Sequence, residues 1–284
     1  MYTVETPGGV TNASLRGRVK RRDERIVSVG DLVALEDVDG DRRILELLPR
    51  SSALTRHGVA RRREQVIVAN VDQVVVTGAV RAPQPDVRMI DRLVALAELS
   101  GVRALIVANK IDLGSTGELP DVLEAYPAAG YEVLRVSAST GEGLDLLANH
   151  LSEKISVLTG ASGVGKSSLL NALIPGLDLR VGEVGSRKGR GRHTTVAAAL
   201  YPYPTGGYVA DTPGLQYLSL WDVDPVTVDR GFVEFTRFAS ECRFKDCRHR
   251  SEPGCEVKAA VEDGEILARR YESYLGLLDE AEGI

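Results

Sequence analysis

The sequence predicts an open α/β domain of the P-loop class, preceded by a small β-barrel of the OB-fold kind and followed by an α-rich, zinc-binding segment. Three observations predict it. From Val66 onward, apolar strand-like runs alternate with helical stretches, the pattern of a largely parallel sheet covered by helices. Gly160-Ala-Ser-Gly-Val-Gly-Lys-Ser167 fits G-x-x-x-x-G-K-[ST] and directly follows one of those runs, Ile155–Thr159. Cys242, Cys247, His249 and Cys255 share one short window, C-x4-C-x-H-x5-C, and the chain has no other cysteine.

The elements follow in order. Leu15–Val19, Arg25–Val29, Leu32–Leu35 and Arg43–Leu48 read as short strands, separated by the turn signals Val29-Gly-Asp31 and Asp37-Val-Asp-Gly40. Strands at this spacing predict a barrel over residues 1–65. Six further runs predict the sheet of residues 66–220: Val74–Val80, Ala104–Ala108, Glu132–Val136, Ile155–Thr159, Ala197–Tyr201 and Tyr208–Ala210. Between them, Met89, Ile90, Leu93, Val94, Leu96 and Ala97 give one helix an apolar face, and Leu144 to Leu151 gives another. Residues 221–284 form the third unit. A chain of 284 residues is long enough for two or three such units, and 43% hydrophobic residues supply their cores.

Composition narrows the function. No apolar run approaches the length of a membrane span and the first residues lack a signal-peptide core, so a cytoplasmic protein without a membrane partner is expected, and it is taken to be monomeric. The net charge of −5 is uneven. Residues 1–65 hold 13 Lys/Arg against 10 Asp/Glu (+3), residues 66–220 hold 13 against 15 (−2), and residues 221–284 hold 9 against 15 (−6). A basic block on an acidic chain points to an anionic partner for that block.

The motifs carry the chemistry. Gly160, Ala161, Ser162, Gly163, Val164 and Gly165 form a loop whose N–H groups can approach phosphate oxygens, and the helix opened by Lys166, Ser167 and Ser168 presents its positive end there. Lys166 reaches β- and γ-phosphates in such a loop, and the Ser167 hydroxyl is a Mg²⁺ ligand. Asn109-Lys-Ile-Asp112 ends the run Ala104–Ala108. Asp112 is placed to accept from guanine N1–H and the 2-amino group, a donor pair that adenine lacks. Asn109 and Lys110 brace the base and the P-loop, Ile111 completes that nucleotide-binding turn, and Ser137 and Ala138 offer a backbone donor to guanine O6. Asp211-Thr-Pro-Gly214 places Asp211 in the outer shell of Mg²⁺ and the Gly214 N–H at the γ-phosphate. GTP and GDP are therefore the expected nucleotides.

Downstream, three thiolates and an imidazole at Cys242, Cys247, His249 and Cys255 make a closed tetrahedral set for one structural Zn²⁺. An odd number of cysteines without a signal peptide argues against a disulfide framework.

Taken in order, NKID, SAS, GASGVGKSS, HTT, DTPG and then the cysteine window rotate the order of an ordinary small GTPase, in which the P-loop comes first. The chain resembles the bacterial small-ribosomal-subunit-dependent GTPases, a circularly permuted family acting late in small-subunit assembly. The resemblance covers nearly the whole chain and extends to Leu48-Pro-Arg50 and Ala69-Asn-Val-Asp72. It implies an OB-fold, a permuted GTPase domain and a zinc domain. It further implies rRNA binding by the flanking domains and GTP hydrolysis stimulated by the small ribosomal subunit.

Two basic clusters suit such a partner: Arg16, Arg18, Lys20, Arg21, Arg22 and Arg25, then Arg56, His57, Arg61, Arg62 and Arg63. The basic, glycine-rich segment Gly182–Arg192 precedes His193-Thr-Thr195, where one of Thr194 and Thr195, with Thr195 favoured, is expected to meet Mg²⁺ in the GTP state. Leu215 follows DTPG where a Ras-like enzyme has glutamine, and leucine cannot orient water. His193 is the candidate within the chain for that task, and slow intrinsic turnover is expected.

Overall fold

The computed structural model describes residues 1–15, 27–38, 40–58, 61–114, 120–179, 199–211 and 223–284, with backbone alone at 56–58, 61–65 and 211. The N-terminal region is all β. β1 (Tyr2–Thr6), β2 (Gly9–Leu15), β3 (Val33–Val38) and β4 (Asp41–Leu47) pair in the order β1-β2-β4-β3. β5 (Ala53–Gly58) and β6 (Arg61–Ala69) form an antiparallel hairpin, and Val29 bridges to Val68.

Strands begin earlier here than sequence patterning indicates. Tyr2, Val4 and Thr6 are half-buried while Thr3 and Glu5 are exposed, a period of two that spans only five residues and is too short to stand out. Much of Leu15–Val19 and the start of Arg25–Val29 lie outside the described residues. The hairpin also escapes the sequence reading, because β6 opens on Arg61-Arg-Arg-Glu64 and resembles a charged linker. β6 runs through residue 65, where the first boundary was expected, and Asn70 beyond it donates to Gly30 O at 2.9 Å.

The central sheet follows from alternation in its strands. Its order is β11 (Ala199–Pro202), β12 (Gly207–Asp211), β10 (Lys154–Thr159), β7 (Gln73–Ala79), β8 (Arg103–Asn109) and β9 (Val133–Arg135), all parallel except the edge strand β11. On one face Val74, Val76, Ile106 and Ala108 pack against Ile90, Leu93, Val94 and Ala97 of α1 (Val87–Leu99). On the other, Val75, Leu105, Val107, Leu158 and Val209 meet Leu147 and Leu151 of α3 (Leu144–Leu151) and Leu169, Leu170 and Leu173 of α4 (Lys166–Leu173). A short α2 (Asp121–Glu124) lies between. Successive strand residues point to opposite faces, so one apolar run serves both cores.

The C-terminal region is α-rich as expected: α5 (Thr236–Ala239), α6 (Glu256–Glu262) and α7 (Ala268–Glu282) follow a 3-10 segment, Pro225–Gly231. Its core gathers Val228, Phe232, Phe235, Val257, Ile266, Tyr274 and Leu278, and it includes Ala95 of α1. α1 is thus shared between two units. No helix among the described residues is long and apolar enough to cross a membrane.

Candidate functional site

β10, β8 and β12 end at Thr159, Asn109 and Asp211, so three motifs lie together at the carboxyl edge of the sheet, and Ser137 follows the end of β9. Ligands of open α/β sheets bind along that edge. The P-loop enters it with three glycines in the left-handed region: Gly160 at φ 143°, Gly163 at 80° and Gly165 at 99°. Two of them also permit close approach. A Cβ at Gly160 would fall 2.1 Å from Thr77 O of β7, and one at Gly165 would fall 2.4 Å from Asn109 Nδ2. Gly165 then starts α4, with Val164 buried behind the loop and Ser162 exposed in front of it. Lys166 lies over the loop, its Nζ donating to Gly160 O at 2.8 Å and Ala161 O at 2.9 Å. Ser167 and Ser168 occupy the first turn of α4, both half-buried.

The Asn109–Asp112 turn and the P-loop form one unit. Asn109 is buried, and its Nδ2 donates to Val164 O at 2.9 Å while its Oδ1 accepts from Ala138 N–H at 3.2 Å. Lys110 holds φ 63°, and its Nζ donates to Gly163 O at 2.6 Å and to Ala82 O. Ile111 is buried under the turn. The Asp112 carboxylate accepts from Ser137 Oγ at 2.6 Å, and this bond chiefly holds its pKa below the ordinary aspartate value. An ionised, oriented carboxylate is the acceptor that guanine's paired donors require.

Sequence reasoning gave Ser137 only a backbone role; the hydroxyl contact to Asp112 is additional, and the serine in the SAS motif was its only signal. The Ala82 carbonyl had no signal in sequence at all. His193, Thr195, Gly214 and Leu215 lie outside the described residues, as do Arg16–Arg25 and Gly182–Arg192. The side chains of Asp211, Arg61, Arg62 and Arg63 also lie outside them.

The cysteine window folds into one cluster. The ligand atoms of Cys242, Cys247, His249 and Cys255 all lie within 4.8 Å of one another. Cys255 starts α6, Cys247 N–H donates to Phe244 O at 3.2 Å, and His249 adopts φ 52°, uncommon for a residue with a Cβ. Glu252 shapes the intervening loop by accepting from the N–H groups of Arg248, Arg250 and Ser251, each at 3.0 Å. Burial opposes its ionisation, yet those N–H groups hold its pKa at about 2. Burial also pushes the Cys247 thiol up to about 12, with Cys255 and Cys242 adding to the effect. Three thiols crowded around an imidazole are a donor set that fits a soft divalent cation.

Residues 47–221 match the family model described as RsgA GTPase. The chain is 45% identical over 278 residues to the small ribosomal subunit biogenesis GTPase RsgA of Gemmatimonas aurantiaca, covering 96% of this chain and 91% of that one. It is 45% identical over 280 residues to the protein of the same name from Moorella thermoacetica, covering 98% and 93%. The crystal structure of YjeQ from Thermotoga maritima superposes with a TM-score of 0.83 at 38% identity, covering 99% of this chain and 94% of that one. That of YloQ, described as a circularly permuted GTPase, superposes at 0.76 with 28% identity, covering 96% and 87%. Here the P-loop follows the tenth strand, downstream of the Asn109–Asp112 turn that follows the eighth, an order rotated from that of an ordinary small GTPase. By sequence, motif order and fold, the chain belongs to the RsgA GTPase family.

Proposed function

We propose that this GTPase acts in the cytoplasm, late in assembly of the small ribosomal subunit. It binds rRNA through the regions flanking its nucleotide-binding domain, and the subunit stimulates its hydrolysis of GTP. Similarity along nearly the whole chain to proteins named small ribosomal subunit biogenesis GTPase carries the reading. The flanking regions are residues 1–65 and 221–284, and the chain works as a monomer.

In this reading Asp112 accepts both guanine donors, with Ser137 fixing its orientation and Asn109 and Lys110 holding the P-loop at the right distance from the base. The N–H groups from Gly160 to Ser168 surround the phosphates, and Lys166 exchanges the Gly160 and Ala161 carbonyls for phosphate oxygens. Ser167 and Thr195 would hold Mg²⁺ with the help of Asp211, and the ion would supply positive charge against that developing on the phosphates. Gly214 donates its N–H to the γ-phosphate, and His193 orients the attacking water in place of the glutamine replaced by Leu215. Cys242, Cys247, His249 and Cys255 hold one structural Zn²⁺, because four protein donors leave no position for a reacting water.

Single-turnover GTP hydrolysis with and without purified small subunits tests the proposal. The expected result is slow turnover alone, a rise of tenfold or more with subunits (about 1.4 kcal/mol per decade), and none in Lys166→Ala. Equal rates in both conditions would remove the assembly-factor reading.

A further inference from the structure

The two ring nitrogens of His249 face different surroundings. Nδ1 lies 3.6 Å from Cys242 Sγ and 3.4 Å from Cys255 Sγ, so it is the nitrogen turned toward the thiols. Nε2 faces Asp229, 3.7 Å from its Oδ2. His249 is 2% exposed, and among the described residues neither its Nε2 nor Asp229 Oδ1 has a hydrogen-bond partner, although both atoms are buried. The nearby polar groups are engaged elsewhere: Tyr271 Oη donates to His249 O at 2.6 Å, and Tyr274 Oη donates to Arg248 O at 2.7 Å. Phe235 presents only an aromatic ring, with its centroid 6.1 Å from that of the imidazole.

A neutral imidazole that gives Nδ1 to a metal carries its proton on Nε2, and in a dry site that N–H needs an acceptor. We propose that Asp229 is this acceptor, a carboxylate outside the ligand set that positions His249 for the metal. The inference rests on the zinc reading above and adds a residue that the cysteine window does not contain. Its place in the fold gives it a second consequence. Asp229 belongs to the 3-10 segment Pro225–Gly231, which Asp224 caps through the Val226 N–H at 3.0 Å. That segment ends against α1, where a Cβ at Gly231 would fall 2.9 Å from the Ala95 Cβ. The element that seats the C-terminal region on the nucleotide-binding domain therefore also orients a metal ligand.

The test uses the full chain. Zinc affinity is measured by competition with a chromophoric chelator in wild type, Asp229→Ala, Asp229→Asn and the control Glu262→Gln, an exposed acid of the same region. Losing the outer partner of a metal-bound histidine typically weakens binding about 10- to 100-fold. That loss is expected in Asp229→Ala, with most affinity recovered in Asp229→Asn, whose amide oxygen can accept the same N–H, and none lost in Glu262→Gln. Two readouts separate positioning from a structural role alone. The visible bands of the cobalt-substituted protein should change in Asp229→Ala, and the His249 Nε2–H resonance should exchange faster with solvent. Zinc affinity within twofold of wild type together with unchanged cobalt bands in Asp229→Ala would overturn the inference. If Asp229→Ala does not fold, the same criteria apply to Asp229→Leu and Asp229→Val, which also lack an acceptor. Wild type that binds no zinc would instead overturn the zinc reading, and this inference with it.

Discussion

Arg270 on α7 and Asp91 on α1 meet at 2.6 Å through Nη1 and Oδ1, with their side chains 1% and 0% exposed. The pair ties the C-terminal region to the nucleotide-binding domain at the one helix they share. Glu234 closes a second side of the guanidinium at 2.6 Å, and Phe232 stacks on it with 4.6 Å to the ring centroid. Tyr126 Oη and Ser273 Oγ donate to the two Asp91 oxygens at 2.7 and 2.6 Å. Burial alone would favour loss of the arginine proton, yet Glu234 and Asp91 together hold Arg270 charged beyond the ordinary arginine range. Every charge in the network has a partner.

Removing one partner should therefore be severe. Arg270→Met leaves two buried carboxylates without their cation, a change that costs about 3–5 kcal/mol in comparable sites. The expected outcome is earlier denaturant unfolding and faster hydrogen exchange in α7 and α1, with β7, β8 and β10 still protected. Unchanged exchange in α7 would show that the apolar contacts around Ala95 hold the two regions together unaided.

Gly165→Ala should disable nucleotide binding without unfolding the sheet. The new Cβ would stand 2.4 Å from Asn109 Nδ2, the atom bonded to Val164 O, and φ 99° adds backbone strain of roughly 1–2 kcal/mol. At least tenfold weaker GDP binding is expected by titration. Gly163→Ala, whose Cβ meets nothing nearer than Pro83 Cδ at 3.7 Å, should lose less. Equal losses in the two variants would place the effect in backbone strain alone.

Asp112→Asn should lose guanine nucleotides and gain xanthine nucleotides, because xanthine has an oxygen where guanine carries its 2-amino group. A charge-assisted hydrogen bond contributes roughly 1.5–3 kcal/mol, so GDP affinity should fall more than tenfold. Ser137→Ala removes the hydroxyl that holds Asp112 and should weaken GDP several-fold, by about 1 kcal/mol. Unchanged GDP affinity in Asp112→Asn would remove Asp112 from the base site.

Metal content carries a pH prediction. Cys247 is raised from 9.0 to about 12 in the folded chain, first by burial and then by its thiol neighbours. A raised thiol contributes stability to the metal-free fold below pH 9 and loses it as pH climbs toward 12. Zinc takes thiolates, so loading reverses the sign: binding releases protons, and affinity grows with pH. Elemental analysis should find about one zinc per chain. Chelator-treated protein should lose C-terminal stability above about pH 9, while the loaded protein does not. Proton release on zinc addition, followed in weak buffer, checks the sign directly.

The sequence by itself determined the P-loop, the Asn109–Asp112 turn, the strands that carry them and the cysteine window. Each is a local pattern, a glycine spacing, a period of two or a short ligand interval, that physical chemistry constrains within a short stretch of chain. Local patterns failed where charge masked them, as at β6, or where the run was too short, as at the five residues of β1. Only the tertiary structure decided the partners. Ser137 lies 25 residues from the Asp112 it orients, Lys110 is 53 from the Gly163 carbonyl it holds, and Arg270 is 179 from Asp91. Asp229 lies 20 residues upstream of His249, in another element. A buried charge or a ring N–H takes the partner that packing brings to it. Packing is settled by the layering of α1 between two cores, which no spacing in the chain records.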